Sequence, residues 1–546
     1  MTKEKKKLLF AAWSSSNESY FAYNTWYKPL KKIFKNFIVF DPQQLIYQYG
    51  FEEMNKMFLD IVAKEKPDYI FFWLIYDEFS IDTFLKIKQI SPKTKLINFF
   101  GDDDTRFDIY SRYYSIFMDF PLISQKNYLK EYYKEGIKNA YFSCGVNTEE
   151  FKPLKLEKKY GVTFIGTPNE DRAEYIRFLQ TNNIDVKVFG SGWDKYPEFN
   201  AINGGKVTNE ELLNIINQSK INLSFSKNYV NKPHFKSRVF EICACNAFLL
   251  TEFFSGYYDF YKEGKDIVTF KNKEEMLEKI KIYLNGNKKR EQIAKSGYKK
   301  TIDNYDQYKH FTNLFNKIFS TKSKSHKPIS LATKDKIAVV KKEELYDIKL
   351  LKDKLKEYKY VTFSSEEAKI SPYRDFFQIY SIEHTKKPIS ICDVYLYSKL
   401  LGNFLSIYAS YSFQVLDKSD FYKLIDPGQI VVEKEYFINN IYKFKSFLNK
   451  EVVDLFSESN TSFVLIPLVS LKYIVNLGYE KMTKISLPRY EAEIHKLSNK
   501  KTLFFNKFIY AILLKAIVSY PFIFKSLIVK SFIKKQIIKK SIFNQF

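Results

Sequence analysis

Lys236 to Glu252 reads KSRVFEICACNAFLLTE. Its apolar spacing predicts a short amphipathic helix, a turn at Asn246–Ala247, and a buried strand, FLLTE. On such a helix Arg238, Glu241 and Cys245 fall at i, i+3 and i+7 and share one face. An arginine and a glutamate beside the carboxyl end of a strand suit a phosphorylated, hydroxyl-rich ligand.

The same alternation extends in both directions. GVTFIG (Gly161–Gly166), DVKVFG, INLSFS and DIVTF are short apolar strands, separated by the helical patterns RAEYIRFLQ, NEELLNIINQ and KEEMLEKIKIYL. Two further helices, KKREQIAKSGYKKTIDNY and KHFTNLFNKIF, follow. Upstream, KLLFAAW, NFIVFD, DYIFFWL, KLINFF and IFMDFPLI read as strands, and FAYNTWYKPLKKIF, FEEMNKMFLDIVAKE and IDTFLKIKQI as helices. Continuous apolar strands linked by helices predict parallel sheets covered on both faces. The fold class expected is therefore α/β: two Rossmann-like units in series, with ligands in the cleft at the carboxyl ends of their strands.

A chain of 546 residues exceeds what one core supports, about 250–300 residues. The expected divisions are two Rossmann-like domains over 1–155 and 156–319, a polar linker over 320–334 and a third α/β domain over 335–496. A basic amphipathic tail over 497–546 completes the chain. Hydrophobic residues at 45% supply ample cores. Cys144, Cys243, Cys245 and Cys392 show no disulfide framework, which fits a reducing cytoplasm. The N-terminal apolar run is too short for a signal peptide and reads as a first strand. Five scattered histidines offer no metal-ligand spacing.

The net charge of +25 is uneven: ten lysines and no acid fall within residues 500–546. A nucleic-acid-binding protein would spread basic charge over a folded face. Here it interrupts an apolar tail whose longest uncharged run, Ala516–Phe524, is far shorter than the ~20 residues that span a bilayer. Lysines on an apolar helix point to one lying on an anionic membrane surface, the inner face of the membrane, and not to nucleic acid. The alternative is a helix packed on the protein with its lysines in water.

Taken together, VTFIGTPNEDR, VFGSGW, INLSFS and R-x-F-E-x-x-A-C followed by FLLTE make residues 1–320 resemble the CgeB-like (spore maturation protein) group-1 glycosyltransferases of the GT-B fold. The resemblance implies a nucleotide-diphosphate-sugar donor on the second domain, an acceptor on the first, a terminal helix packed back onto the first, and no metal or other cofactor. Gly166 and Thr167 would admit the diphosphate to a strand end, with Arg172 reaching the same charge; the alternative is a plain turn and a surface arginine. Gly190, Gly192 and Trp193 would line the nucleoside pocket, or form a tight turn over a core tryptophan. Arg238 and Lys236 would stabilise the leaving diphosphate while Glu241 holds the ribose; the alternative is an Arg238–Glu241 surface pair. His234 would hydrogen-bond phosphate, and Thr251 and Glu252 would face the donor or cap the next helix. In GDDDTRFD (Gly101–Asp108), Asp103 would be the base that deprotonates the acceptor hydroxyl, or these acids cap a helix. Many such enzymes carry E-x7-E, but Pro233 stands where the first glutamate belongs, and Asn246 replaces the usual glycine.

KYVTFSSEEAKISPYRDFFQIYSIEH in the third domain has the cadence of a GT-A metal-binding segment, yet holds Ser364-Ser365-Glu366-Glu367 in place of Asp-x-Asp. That domain is expected to be degenerate. The function expected is transfer of a sugar from a nucleotide-diphosphate-sugar to a glycan or lipid-linked hydroxyl. The alternative is an inactive glycan- or nucleotide-sugar-binding scaffold.

Overall fold

The computed structural model describes residues 6–12, 23–74, 78–228, 232–321, 336–364, 369–370, 374–398, 402–406, 414–416, 428, 430–442, 444 and 463–474. The expected membrane tail, nearly all of the linker and Ser365–Glu367 lie outside the described residues.

The first sheet comprises β1 (Lys7–Ala12), β2 (Asn36–Phe40), β3 (Tyr69–Trp73), β4 (Lys95–Phe100), β5 (Phe120–Ile123) and β6 (Tyr141–Phe142). All pair in parallel, in the order β2-β1-β3-β4-β5-β6. The helices between them form for legible reasons. In Phe51–Glu65, Met54, Phe58 and Val62 recur at i+4 and are buried, with Glu52 and Glu53 in the first turn facing the helix dipole. Ile81–Ile90 starts at Ser80, whose hydroxyl accepts from Thr83 N at 3.2 Å.

Two elements depart from the expected reading. Described residues of FAYNTWYKPLKKIF form a π-turn over Tyr23–Tyr27 and then a helix over Lys28–Ile33, because Pro29 has no N–H to give the preceding turn. In IFMDFPLI only FPLI is a strand, and Ser115–Phe117 forms a 3-10 turn. Asp119 marks the change: its carboxylate accepts from Leu96 N at 2.8 Å and pairs with Lys88 at 2.5 Å.

The second sheet is β7 (Tyr160–Ile165), β8 (Val186–Phe189), β9 (Ser219–Ser224), β10 (Leu249–Glu252) and β11 (Val268–Phe270), parallel in the order β11-β10-β9-β7-β8. Helix Glu170–Thr181 is capped by Asn169, and helix Asn209–Gln218 by a Thr208–Glu211 capping box. Helix Arg238–Ala244 ends on Cys245, with Asn246 in the left-handed region at φ 52°. Asparagine tolerates that conformation where most side chains do not, so the turn survives without a glycine.

Helix Gln307–Ser320 then crosses back to the first sheet. Its Phe311, Leu314, Phe315 and Ile318 are buried with Trp26, Phe34 and Phe71, and the Phe34 and Phe315 rings lie 4.9 Å apart. Two parallel Rossmann-like sheets are thus joined by a returning helix. A third, mixed sheet of eight strands spans Ile337–Val340 to Phe463–Ile474. Its helix Arg374–Thr385 inserts Phe377 into the first core, 5.6 Å from Tyr113. No helix among the described residues is long and apolar enough to cross a membrane.

Candidate active site

The carboxyl ends of β4 and β5 face those of β7, β9 and β10, and the loops leaving these strands carry a cluster of charge. After β4, Asp102 sits at φ 56° and leads into a helical turn over Asp103–Arg106, on which Asp103 and Asp104 point about 100° apart. Asp103 points into the first core, 1% exposed, where it accepts from the Tyr132 hydroxyl at 3.0 Å. Burial pushes its carboxyl up to about 7, against the Ser111 and Tyr132 hydroxyls and Arg106, which favour the charged form. Asp104 points toward the second sheet.

Three residues of the second sheet's loop converge on Asp104. His234 Nδ1 lies 2.8 Å from one carboxylate oxygen, Asn228 Nδ2 donates to the other, and Lys232 Nζ donates to its carbonyl at 3.3 Å. Gln125, just past β5, completes the junction. Its Oε1 accepts from Phe235 N at 2.9 Å, and its Nε2 donates to Phe235 O at 3.2 Å while facing His234 Nε2 at 3.2 Å. With the Gln125 amide as donor, His234 Nε2 accepts and Nδ1 carries the hydrogen given to Asp104. Asp102 Oδ1 stands 3.3 Å from the same Nε2.

Beside this junction, Lys236 is partly buried, and no hydrogen bond or ion pair engages its ammonium among the described residues. Burial lowers its pKa to about 8, helped by the Arg172 guanidinium and opposed by Asp102, Asp104 and Glu252. Arg172 braces two loops, donating to Thr167 O at 2.7 Å and Lys227 O at 2.9 Å. Glu252, 4% exposed, accepts from Ser226 N at 3.0 Å and Lys227 N at 3.1 Å and pairs with Lys227 Nζ at 3.3 Å. Two cations thus adjoin an acid already committed to its own loop. On the helix that follows, Arg238 pairs with Glu241 at 2.6 Å.

Among the described residues, Asp102, Asp104 and His234 bring ligand atoms within 4.8 Å of one another, the geometry a metal ion would need. Both ring nitrogens of His234 already have partners, so the group stands as a hydrogen-bonded junction. Burial pushes the Cys144, Cys243 and Cys245 thiols up to about 12, which favours the protonated form.

Residues 172–315 match the family described as glycosyl transferase-like. The chain is also 21% identical to the spore protein CgeB of Bacillus subtilis over 296 residues, 50% of this chain and 82% of that one. The likeness to glycosyl transferases by family model thus lies within the second domain. Solved structures align at low similarity. HepE of Anabaena, crystallised with UDP and glucose, is 10% identical at a TM-score of 0.45, covering 58% of this chain and 100% of that one. Sucrose-phosphate synthase from Thermosynechococcus elongatus, at 8% and 0.43, has the same coverage, 58% and 100%.

Several expected site residues take other places. Trp193 is fully buried and donates to Gly166 O at 2.8 Å, so it packs the core and lines no pocket. Thr251 is also fully buried, in contact with the Tyr257 hydroxyl. Asp103 faces inward, and the loop acids on the interdomain side are Asp102 and Asp104. His234 and Glu252 are bound to protein partners. Gly166 and Gly190 approach each other: a Cβ on Gly190, at φ +126°, would lie 2.6 Å from Gly166 O. Gly192, at φ +96°, has Pro168 beside it. Lys236, Arg172 and Thr167 do come together, with Arg238 and Glu241 one helical turn on. Sequence reasoning missed Gln125 and Asn228, and among the acids of GDDDTRFD it favoured Asp103 where Asp104 makes the junction. The available signal was their position just past the apolar strands FPLI, KLINFF and INLS.

Proposed function

We propose that the chain is a glycosyltransferase that moves a sugar from a nucleotide-diphosphate-sugar to a hydroxyl of a cell-surface glycan or lipid-linked precursor. The observation that carries this reading is the Lys236 ammonium: partly desolvated, unpaired among the described residues, and beside a second cation at facing strand ends. Such a site favours a multivalent anion, and a diphosphate leaving group gains charge as the glycosidic bond breaks. Lys236 and Arg238 would stabilise that charge, so no metal is required, and Glu241 would exchange part of its Arg238 contact for the ribose hydroxyls. Asp102, whose side chain is 65% exposed, is the loop carboxylate open to an acceptor and takes the base role expected of Asp103.

Purified protein incubated with a panel of UDP- and GDP-sugars, with and without a chelator, tests this. Hydrolysis or transfer is expected for at least one donor and is expected to survive chelation. Glu241→Ala should lower kcat/KM about 100-fold, the scale of truncating a partly buried charge pair. No turnover on any donor, with UDP binding retained, would establish the scaffold reading instead.

We also propose that residues 500–546 hold the enzyme to the inner membrane face. Truncation at Leu497 should abolish binding to vesicles rich in anionic lipid. Unchanged vesicle binding would refute this anchor.

A further inference from the structure

The junction around Asp104 and Gln125 belongs to both sheets. Its partners lie 109 to 130 residues apart along the chain and meet only through the packing of the two domains. The polar groups are withdrawn from water: Gln125 is 1% exposed, Asp104 6%, Asn228 7% and His234 8%. An apolar contact of the same size would tolerate sliding. Buried hydrogen bonds do not, because a small displacement leaves donors and acceptors unpaired where water cannot replace the partner.

The segment so gripped is short. His234 and the Phe235 backbone are held by the first domain. The Phe235 ring is wedged in the second, 5.1 Å from Phe240, 5.4 Å from Tyr257 and 4.8 Å from Phe260. Lys236 is the next residue. Its distance from the first sheet is therefore fixed by Gln125 and Asp104, neither of which hydrogen-bonds its ammonium.

We infer that Gln125 and Asp104 are positioning residues, which hold His234–Phe235 so that Lys236 stands over the carboxyl ends of the first sheet's strands. The catalytic part of this inference rests on the proposed role of Lys236 at the diphosphate. Gln125 is the cleaner handle because it is neutral, whereas Asp104 also acts electrostatically on Lys236.

Full-length Gln125→Met and Asp104→Asn variants decide the matter, with circular dichroism and Tm confirming that each folds. Spin labels at exposed Tyr49 in the first domain and Ile282 in the second report the separation of the sheets. The distance distribution should broaden in both variants and be partly restored in Gln125→Glu, which keeps the acceptor for Phe235 N. With UDP as the probe, affinity should weaken severalfold, its pH dependence between 7 and 9 should flatten as Lys236 leaves the diphosphate, and kcat should fall roughly tenfold or more, a signature that general loss of stability does not produce. A distribution and kcat both unchanged in Gln125→Met would overturn the inference. If the wild type turns over no donor, the functional reading fails, and the label distances still decide the junction: broadening supports it and no change refutes it.

Discussion

Lys236 carries an ammonium that burial and the Arg172 guanidinium hold down to about 8. The sign follows directly: the charge is present below pH 8 and is lost as pH rises through it. Affinity for UDP should therefore weaken between pH 7 and 9, by at most about tenfold per unit for one proton. Lys236→Arg should flatten the profile, since a guanidinium stays charged throughout. Calorimetric titration across that range checks this, and a wild-type affinity level to pH 9 would remove Lys236 from the diphosphate. At the same scale the sequence was only partly legible. It singled out GDDDTRFD, but adjacent aspartates share one composition and differ only in backbone sense. Successive residues of the helical turn Asp103–Arg106 point about 100° apart, so Asp103 meets Tyr132 and Asp104 meets His234, and which acid faces which domain is set by the packing around the turn.

The loops after β7 and β8 act as one interlocked element. Gly166 N donates to Phe189 O at 2.9 Å, and Trp193 Nε1 returns a bond to Gly166 O at 2.8 Å. Gly190 has no room for a Cβ and adopts a φ that L residues avoid. Gly190→Ala should cost about 1–3 kcal/mol, read as a lowered urea midpoint with an unchanged slope. A shift under 0.5 kcal/mol would show that the turn relaxes. The sequence marked these glycines through their place after apolar strands. What they accommodate first is each other's backbone, a contact between segments twenty-four residues apart.

Across the whole molecule, helix Gln307–Ser320 ties the end of the second domain to the core of the first. Phe315 is fully buried and touches Phe34 and Tyr69. Phe315→Ala should cost about 3–5 kcal/mol and shift first- and second-domain probes together in chemical denaturation. Loss confined to the helix, with the domains unaffected, would contradict such a tie. By itself the sequence determined the alternation of strands and helices, the parallel sheets and the strand ends where polar residues gather. Those follow from local periodicity and caps, whose range is a turn or two. Only the tertiary structure decided that Trp193 and Thr251 are core, that Glu252 braces its own loop, and that Asp104 meets His234. Each depends on a partner brought from elsewhere by packing, 130 residues away in the last case, a distance over which periodicity carries no information.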